Sequence, residues 1–279
     1  MEPAGRIDTA HLFAPLHDEL LALLRSLRPE DWERPTVAGV WRVRDVAAHL
    51  LDTQLRRLSF QRDGHALPPP EAPIAGDRDL VGYLNRLNAE WILAARRLSP
   101  RVLMELLKAT GPALTALLAS LPPREPALFP VSWAGQAVSE NWFDVGREYT
   151  EHWHHQAQIR DAVGAPGLDS RRFLHPVLEL SLYALPVALR GAGGAEGNAV
   201  VVEITGEAGG TWSLLRTASD WTLWRGEAAD AALRARLDSD SAWRLFFNAL
   251  SPDEARRHIA FAGDATLSER LIAARGVMV

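Results

Sequence analysis

From Asp8 onward, stretches of helix-period apolar residues alternate with short breaks marked by proline. Asp8 or Thr9 suits an N-cap, and Leu12, Leu16, Leu20, Leu23, Leu24 and Leu27 follow at helical spacing until Pro29. A loop holding Trp32, Pro35 and Gly39 separates this helix from a second, expected from about Val43 to Gln61 and stopped by Gly64. The buried stripe of the second helix reads Val43, Val46, Ala47, Leu50, Gln54, Leu58. Pro68, Pro69 and Pro70 predict a loop. Helical regions are expected at 77–98 and 101–121, split by Pro100, and Pro122, Pro123 and Pro126 open another loop. A last long helix runs from about Ser139 to Val163, closed by Gly164. Long helices joined by short breaks predict an up-down four-helix bundle over residues 1–166.

The pattern changes after Pro166. A helix-like segment, 173–189, leads into the Gly-rich run 191–197. Three β-rich segments follow, 200–204, 212–216 and 221–224, with turns at Gly209-Gly210 and Ser219-Asp220, which predicts a meander of hairpins. Helical patterns are expected at 229–237, 242–250 and 267–274, and a short strand at 258–261. Residues 167–279 therefore predict a smaller α+β domain with an antiparallel sheet, so that the whole is an α+β two-domain chain.

Composition narrows the chemistry. Of 279 residues 47% are hydrophobic, enough for a real core. The formal net charge is −5, and no basic cluster suggests a nucleic-acid partner. Lys108 is the only lysine, which reads as the codon bias of a GC-rich genome. With no cysteine, disulfides, thiolate ligands and a Cys nucleophile are excluded. The segment Met1–Asp8 carries Glu2, Arg6 and Asp8 and does not read as a signal peptide. No run approaches the roughly 20 apolar residues of a spanning helix, so the expectation is a cytoplasmic protein with no membrane partner.

Three of the nine histidines fall in Glu151-His152-Trp153-His154-His155. On a helix, residues four apart share a face, so Glu151 and His155 project side by side, and a carboxylate with an imidazole suits a borderline divalent ion such as Zn²⁺. A third ligand must come from elsewhere. His49, at the edge of the second helix's apolar stripe, is the best placed, with His11 and His17 as alternatives. Asp45, Gln158 and His152 are candidates for orienting a ligand imidazole, and His154 points away from Glu151. Equally, Asp144, Arg147, Glu148, Glu151, His155 and Gln158 form a polar stripe of the kind that is usually a solvated helix face.

Gly39-Val40-Trp41-Arg42-Val43-Arg44-Asp45-Val46-Ala47-Ala48-His49-Leu50 resembles the second-helix motif of the DinB-like superfamily, and 151–159 and 27–32 resemble two further parts of it. The carboxylate at Glu151 and the extra α+β domain are similar to the mycothiol-dependent maleylpyruvate isomerase branch. That resemblance implies a three-ligand metal site at His49, Glu151 and His155, and a sterol-carrier-like second domain recognisable at 243–250 and 261–267. Related proteins often carry a Gly-Arg pair where this chain has Asn248-Ala249; Arg244, Arg256 and Arg257 are nearby arginines.

Two functions follow as expectations. One is a metal-dependent, thiol-using transferase or isomerase of a small electrophile. Its metal is Zn²⁺, or else Ni²⁺, Mn²⁺ or Fe²⁺, and its cosubstrate is a low-molecular-weight thiol such as mycothiol. The other is a non-catalytic lipid or small-molecule binder with a structural or vestigial metal, whose cavity Trp212, Trp221, Trp224, Trp243, Phe246 and Phe247 would line. Those aromatics are equally explained as ordinary core. Oligomeric state is not legible.

Overall fold

A computed structural model describes residues 1–65, 70 and 73–277; the loop expected at Pro68 and Pro69 lies outside the described residues. The chain divides into two compact units.

The helical unit comprises residues 8–128 and 140–168. Its helices are α1 (Phe13–Ser26), α2 (Val43–Arg57), α3 (Asp77–Ala95), α4 (Pro100–Ser120) and α5 (Asn141–Val163). Thr9 precedes a 3₁₀ turn at Ala10–Leu12, but its side chain makes no capping hydrogen bond. The α2 stripe is buried as its spacing predicts, from Val43 through Leu50 and Gln54 to Leu58, and a π-helical turn at Leu58–Arg62 prolongs the helix. Each fully buried leucine there stabilises the fold by about 2 kcal/mol relative to exposure. The helix α2 packs against α3, α4 and α5, and α1 packs against α4 and α5. Gly111 of α4 makes room for His17 of α1, whose ring lies where a Cβ would stand.

Among the described residues one helix, α4, is long and apolar enough by length and composition to cross a membrane, contrary to the expectation from sequence. Uninterrupted apolar runs were too strict a guide, because Arg101, Glu105 and Lys108 all fall in the first half of α4. Its Leu103, Leu107, Leu114 and Leu118 are buried within the unit.

The α+β unit comprises residues 1–7, 129–139 and 169–279. It contains β1 (Glu2–Pro3), α6 (Arg171–Ser181), α7 (Leu185–Ala188), β2 (Ala199–Thr205), β3 (Gly210–Arg216), β4 (Trp221–Arg225), β5 (Leu233–Asp238), α8 (Ser239–Phe246), α9 (Pro252–His258), β6 (Ala260–Gly263) and α10 (Ala265–Ile272). The sheet order is β1-β4-β3-β2-β5-β6. The expected hairpins β2-β3 and β3-β4 are present, but the sheet is mixed, because β2 and β5 pair in parallel. The helix expected at 229–237 is not formed. There Leu233, Ala235 and Leu237 point inward and Arg234, Arg236 and Asp238 outward, a period-2 pattern that makes β5. The strand expected at 258–261 is displaced to 260–263, with His258 closing α9.

Candidate metal centre

The polar stripe of α5 is not a solvated face. Asp144, Glu148, His155 and Gln158 are all buried. Burying charge is tolerated only with partners, and α2 supplies them. Arg57 donates two hydrogen bonds to the Asp144 carboxylate, at 2.8 and 2.7 Å, and one to Glu148 at 3.1 Å. Arg147 adds bonds to both carboxylates. Burial opposes ionisation of Glu148, yet Arg57, His152 and Arg147 hold its carboxyl well below the usual range.

One turn further along, α2 and α5 bring three side chains together. A nitrogen of His49, a carboxylate oxygen of Glu151 and a nitrogen of His155 lie within 4.8 Å of one another. The spacing of four places Glu151 Oε2 3.4 Å from His155 Nε2. The His49 and His155 rings meet edge-on with centroids 4.7 Å apart. Glu151 is the only one of the three left partly accessible, so the cluster opens on its side.

The donor set fits a divalent ion. A metal needs neutral imidazoles and an ionised carboxylate. Burial, reinforced by the neighbouring His155, pushes the His49 imidazole well below its ordinary value. Burial alone would raise the Glu151 carboxyl, but His154, His155 and Arg147 hold it down to about 2. His155 Nδ1 lies 2.9 Å from Gln158 Oε1, an acceptor. With a metal on Nε2, the imidazole would carry its proton on Nδ1 and donate it to Gln158. Nδ1 of His49 is buried without a hydrogen-bond partner among the described residues.

The other candidates take different places. Asp45 does not orient His49. Its carboxylate accepts from the Arg42 backbone N–H at the start of its own helix and pairs with Arg96. His152 turns to Thr53 and Glu148. His154 Nδ1 lies 3.1 Å from the Thr150 carbonyl, and burial followed by the adjacent His155 pushes its pKa down to about 3. His11 is exposed and His17 packs against Gly111, so neither joins the cluster. Sequence reading passed over Trp41, whose indole lies against both His49 and His155. Its one signal is its place just before the second-helix motif's capping residue.

In the α+β unit, Trp212, Trp221, Trp243, Phe246 and Phe247 are buried, which packing accounts for. Asn248 is the one non-glycine residue among those described with a positive φ, 57°. Asparagine tolerates that left-handed conformation, so it can close α8. Arg244 pairs with Asp240 and lies over Trp243, Arg256 pairs with Asp253 and Glu269, and Arg257 is exposed. Arg275 donates to the Asn248 side chain at 2.9 Å.

Comparison with known proteins adds the family. A solved structure described as the mycothiol-dependent maleylpyruvate isomerase aligns with a TM-score of 0.55 at 11% identity, covering 92% of this chain and 92% of that one. The structure of a histidine-to-alanine mutant of that isomerase aligns equally well. At that identity the likeness speaks to fold, and it spans both units. The sterol carrier protein domain 2 of Helicoverpa armigera aligns over 38% of this chain and 85% of that one at 15% identity, with a TM-score of 0.25, too slight to define a fold. No curated protein matches in sequence. The family model for the mycothiol maleylpyruvate isomerase N-terminal domain matches residues 13–160, more than half of the chain, a span that includes His49, Glu151 and His155, and the chain belongs to that family.

Proposed function

We propose that the helical unit binds one divalent metal ion through His49, Glu151 and His155, and that the chain is a thiol-using transferase or isomerase of a small electrophilic substrate. The carrying observation is the convergence of two buried imidazoles and one carboxylate within 4.8 Å. Three protein ligands are characteristic of catalytic rather than closed structural zinc sites. When bound, such an ion supplies Lewis acidity that brings a coordinated thiol or water towards ionisation at neutral pH.

The chain's own residues prepare the site for this. Glu151 stays ionised and His49 neutral across the physiological range. Gln158 holds the His155 proton on Nδ1. Because the chain has no cysteine, the thiol is a cosubstrate. Mycothiol is the thiol named for the aligned isomerase, and we carry it here as part of the proposal. Zn²⁺ suits the nitrogen and oxygen donors best, while Ni²⁺, Mn²⁺ and Fe²⁺ are accepted by the same set. A cytoplasmic setting, without nucleic-acid or membrane partners, completes the proposal.

Elemental analysis of the purified protein beside His49→Ala and Glu151→Ala tests it. About one metal per chain in the wild type, lost in both variants, is expected. A wild type that is metal-free and refuses added Zn²⁺, Ni²⁺, Mn²⁺ and Fe²⁺ would refute it. Thiol transfer retained by metal-free His49→Ala would refute the catalytic part alone.

A further inference from the structure

A ligand imidazole is normally held in place through its second nitrogen, which donates to a carboxylate, a carbonyl or water. His155 follows that rule through Gln158. For His49 no side chain or carbonyl among the described residues plays that part at Nδ1, which is buried and unpartnered. The carboxylate one turn earlier on the same face, Asp45, is engaged by the Arg42 N–H and by Arg96.

What does lie against the His49 ring is aromatic. The Trp41 indole has its centroid 4.9 Å from that of His49, tilted by 48°. The same indole lies 6.3 Å from the His155 ring, at 33°. One half-buried side chain thus backs both imidazoles of the cluster.

The indole is carried on a clasped frame. Pro35 and Arg42 form an isolated antiparallel bridge. Within it the Thr36 N–H and hydroxyl both donate to the Trp41 carbonyl, at 3.1 and 2.8 Å, and the Trp41 N–H donates to the Ala38 carbonyl at 3.2 Å. Gly39 turns the chain with φ +62°, a conformation glycine adopts freely. Glu33 ties the base, pairing with Arg42 at 2.7 Å and Arg44 at 2.9 Å. Such a frame can hold a ring in one orientation.

We infer that Trp41 is a positioning residue for the metal centre, its indole orienting His49 by ring packing. This rests on His49, Glu151 and His155 binding metal. It goes beyond that reading by giving the site a fourth essential side chain that touches no metal. The consequence is specific. A flat aromatic ring is needed at 41, and apolar bulk alone does not serve, because only a ring face can stack against a tilted imidazole. Loss of a hydrogen-bonding partner of a ligand typically weakens metal binding by about 10- to 100-fold, and we expect the lower end of that range for a packing contact.

The test is Zn²⁺ affinity by chelator competition on the full-length chain, with the visible spectrum of the Co²⁺-loaded form as a readout of ligand geometry. Wild type, Trp41→Phe, Trp41→Leu and Trp41→Ala are compared, and thermal unfolding of the metal-free proteins checks that each is folded. We expect Trp41→Phe within about threefold of wild type, and Trp41→Leu and Trp41→Ala weakened about tenfold or more with an altered Co²⁺ spectrum. If Trp41→Ala fails to fold, Trp41→Leu decides. Wild-type affinity and an unchanged Co²⁺ spectrum in the Leu or Ala variant would overturn the role of Trp41 while leaving the metal site standing. A wild type that binds no metal would overturn the underlying site instead.

Discussion

Replacing Arg57 tests whether the buried polar face of α5 depends on one cation from α2. The Arg57 side chain is 4% exposed and sits between Asp144, 0% exposed, and Glu148, 5% exposed. Arg57→Met keeps the apolar stem and removes the guanidinium. Asp144 and Glu148 are then left sharing one arginine, Arg147, with the His152 imidazole beside Glu148, so the interior holds one carboxylate more than it has guanidinium groups. Breaking a buried ion pair from one side costs about 3–5 kcal/mol. Because Arg147 remains, we expect the lower end, about 3 kcal/mol at pH 7.5. Urea unfolding followed by helical circular dichroism reads this as a lower midpoint for the helical unit. The pH dependence carries a second signature. In the wild type the depressed Glu148 pKa contributes stability that is present above its unfolded value of about 4.5 and is lost as pH falls below it. In Arg57→Met the unpaired carboxyl has a raised pKa, so the folded state takes up a proton more readily and recovers stability as pH falls. The deficit should therefore shrink between pH 8 and pH 5, and Arg57→Met/Glu148→Gln should regain at least half of it. A deficit below about 1 kcal/mol, or one that does not vary with pH, would refute the reasoning.

Two further outcomes are expected. Gln158→Leu removes the acceptor that keeps the His155 proton on Nδ1; it should weaken Zn²⁺ binding about tenfold with little loss of stability, read by chelator competition. His17 has its pKa lowered by burial and by the neighbouring His152. The stability it contributes is full above the unfolded value of about 6.5 and is lost as pH falls towards the folded value. His17→Gln should therefore flatten the loss of stability between pH 7 and pH 5, and an unchanged slope in urea titrations would exclude His17 as a source.

Much of this chain was legible from periodicity. Helical spacing located the bundle helices, because a helix at a domain surface must turn one face to the core. The four-residue spacing of Glu151 and His155 put them on one face wherever that helix lay. Gly164 closes α5 in the left-handed conformation, as its position predicted. In the α+β unit, by contrast, 229–237 carries alanines and arginines that suit a helix as well as an alternation that suits a strand, and pairing with β2 and β6 decided between them. Tertiary contact also decided that 1–7 and 129–139 join that unit.

The site divides in the same way. Sequence alone determined which residue types could hold a metal and which two of them must be neighbours. It did not determine whether the polar stripe of α5 meets water or protein, because burial belongs to the partner helix that packs on it and not to the stripe. Asp45 shows the same limit: its spacing from His49 is right for an outer partner, but capping its own helix and pairing with Arg96 take its lone pairs. Only the fold sets Trp41 against both histidines, brings Arg57 to Asp144, and closes the long chain separation between His49 and His155 to a ring contact, since each of these is a choice among faces that helical spacing leaves open.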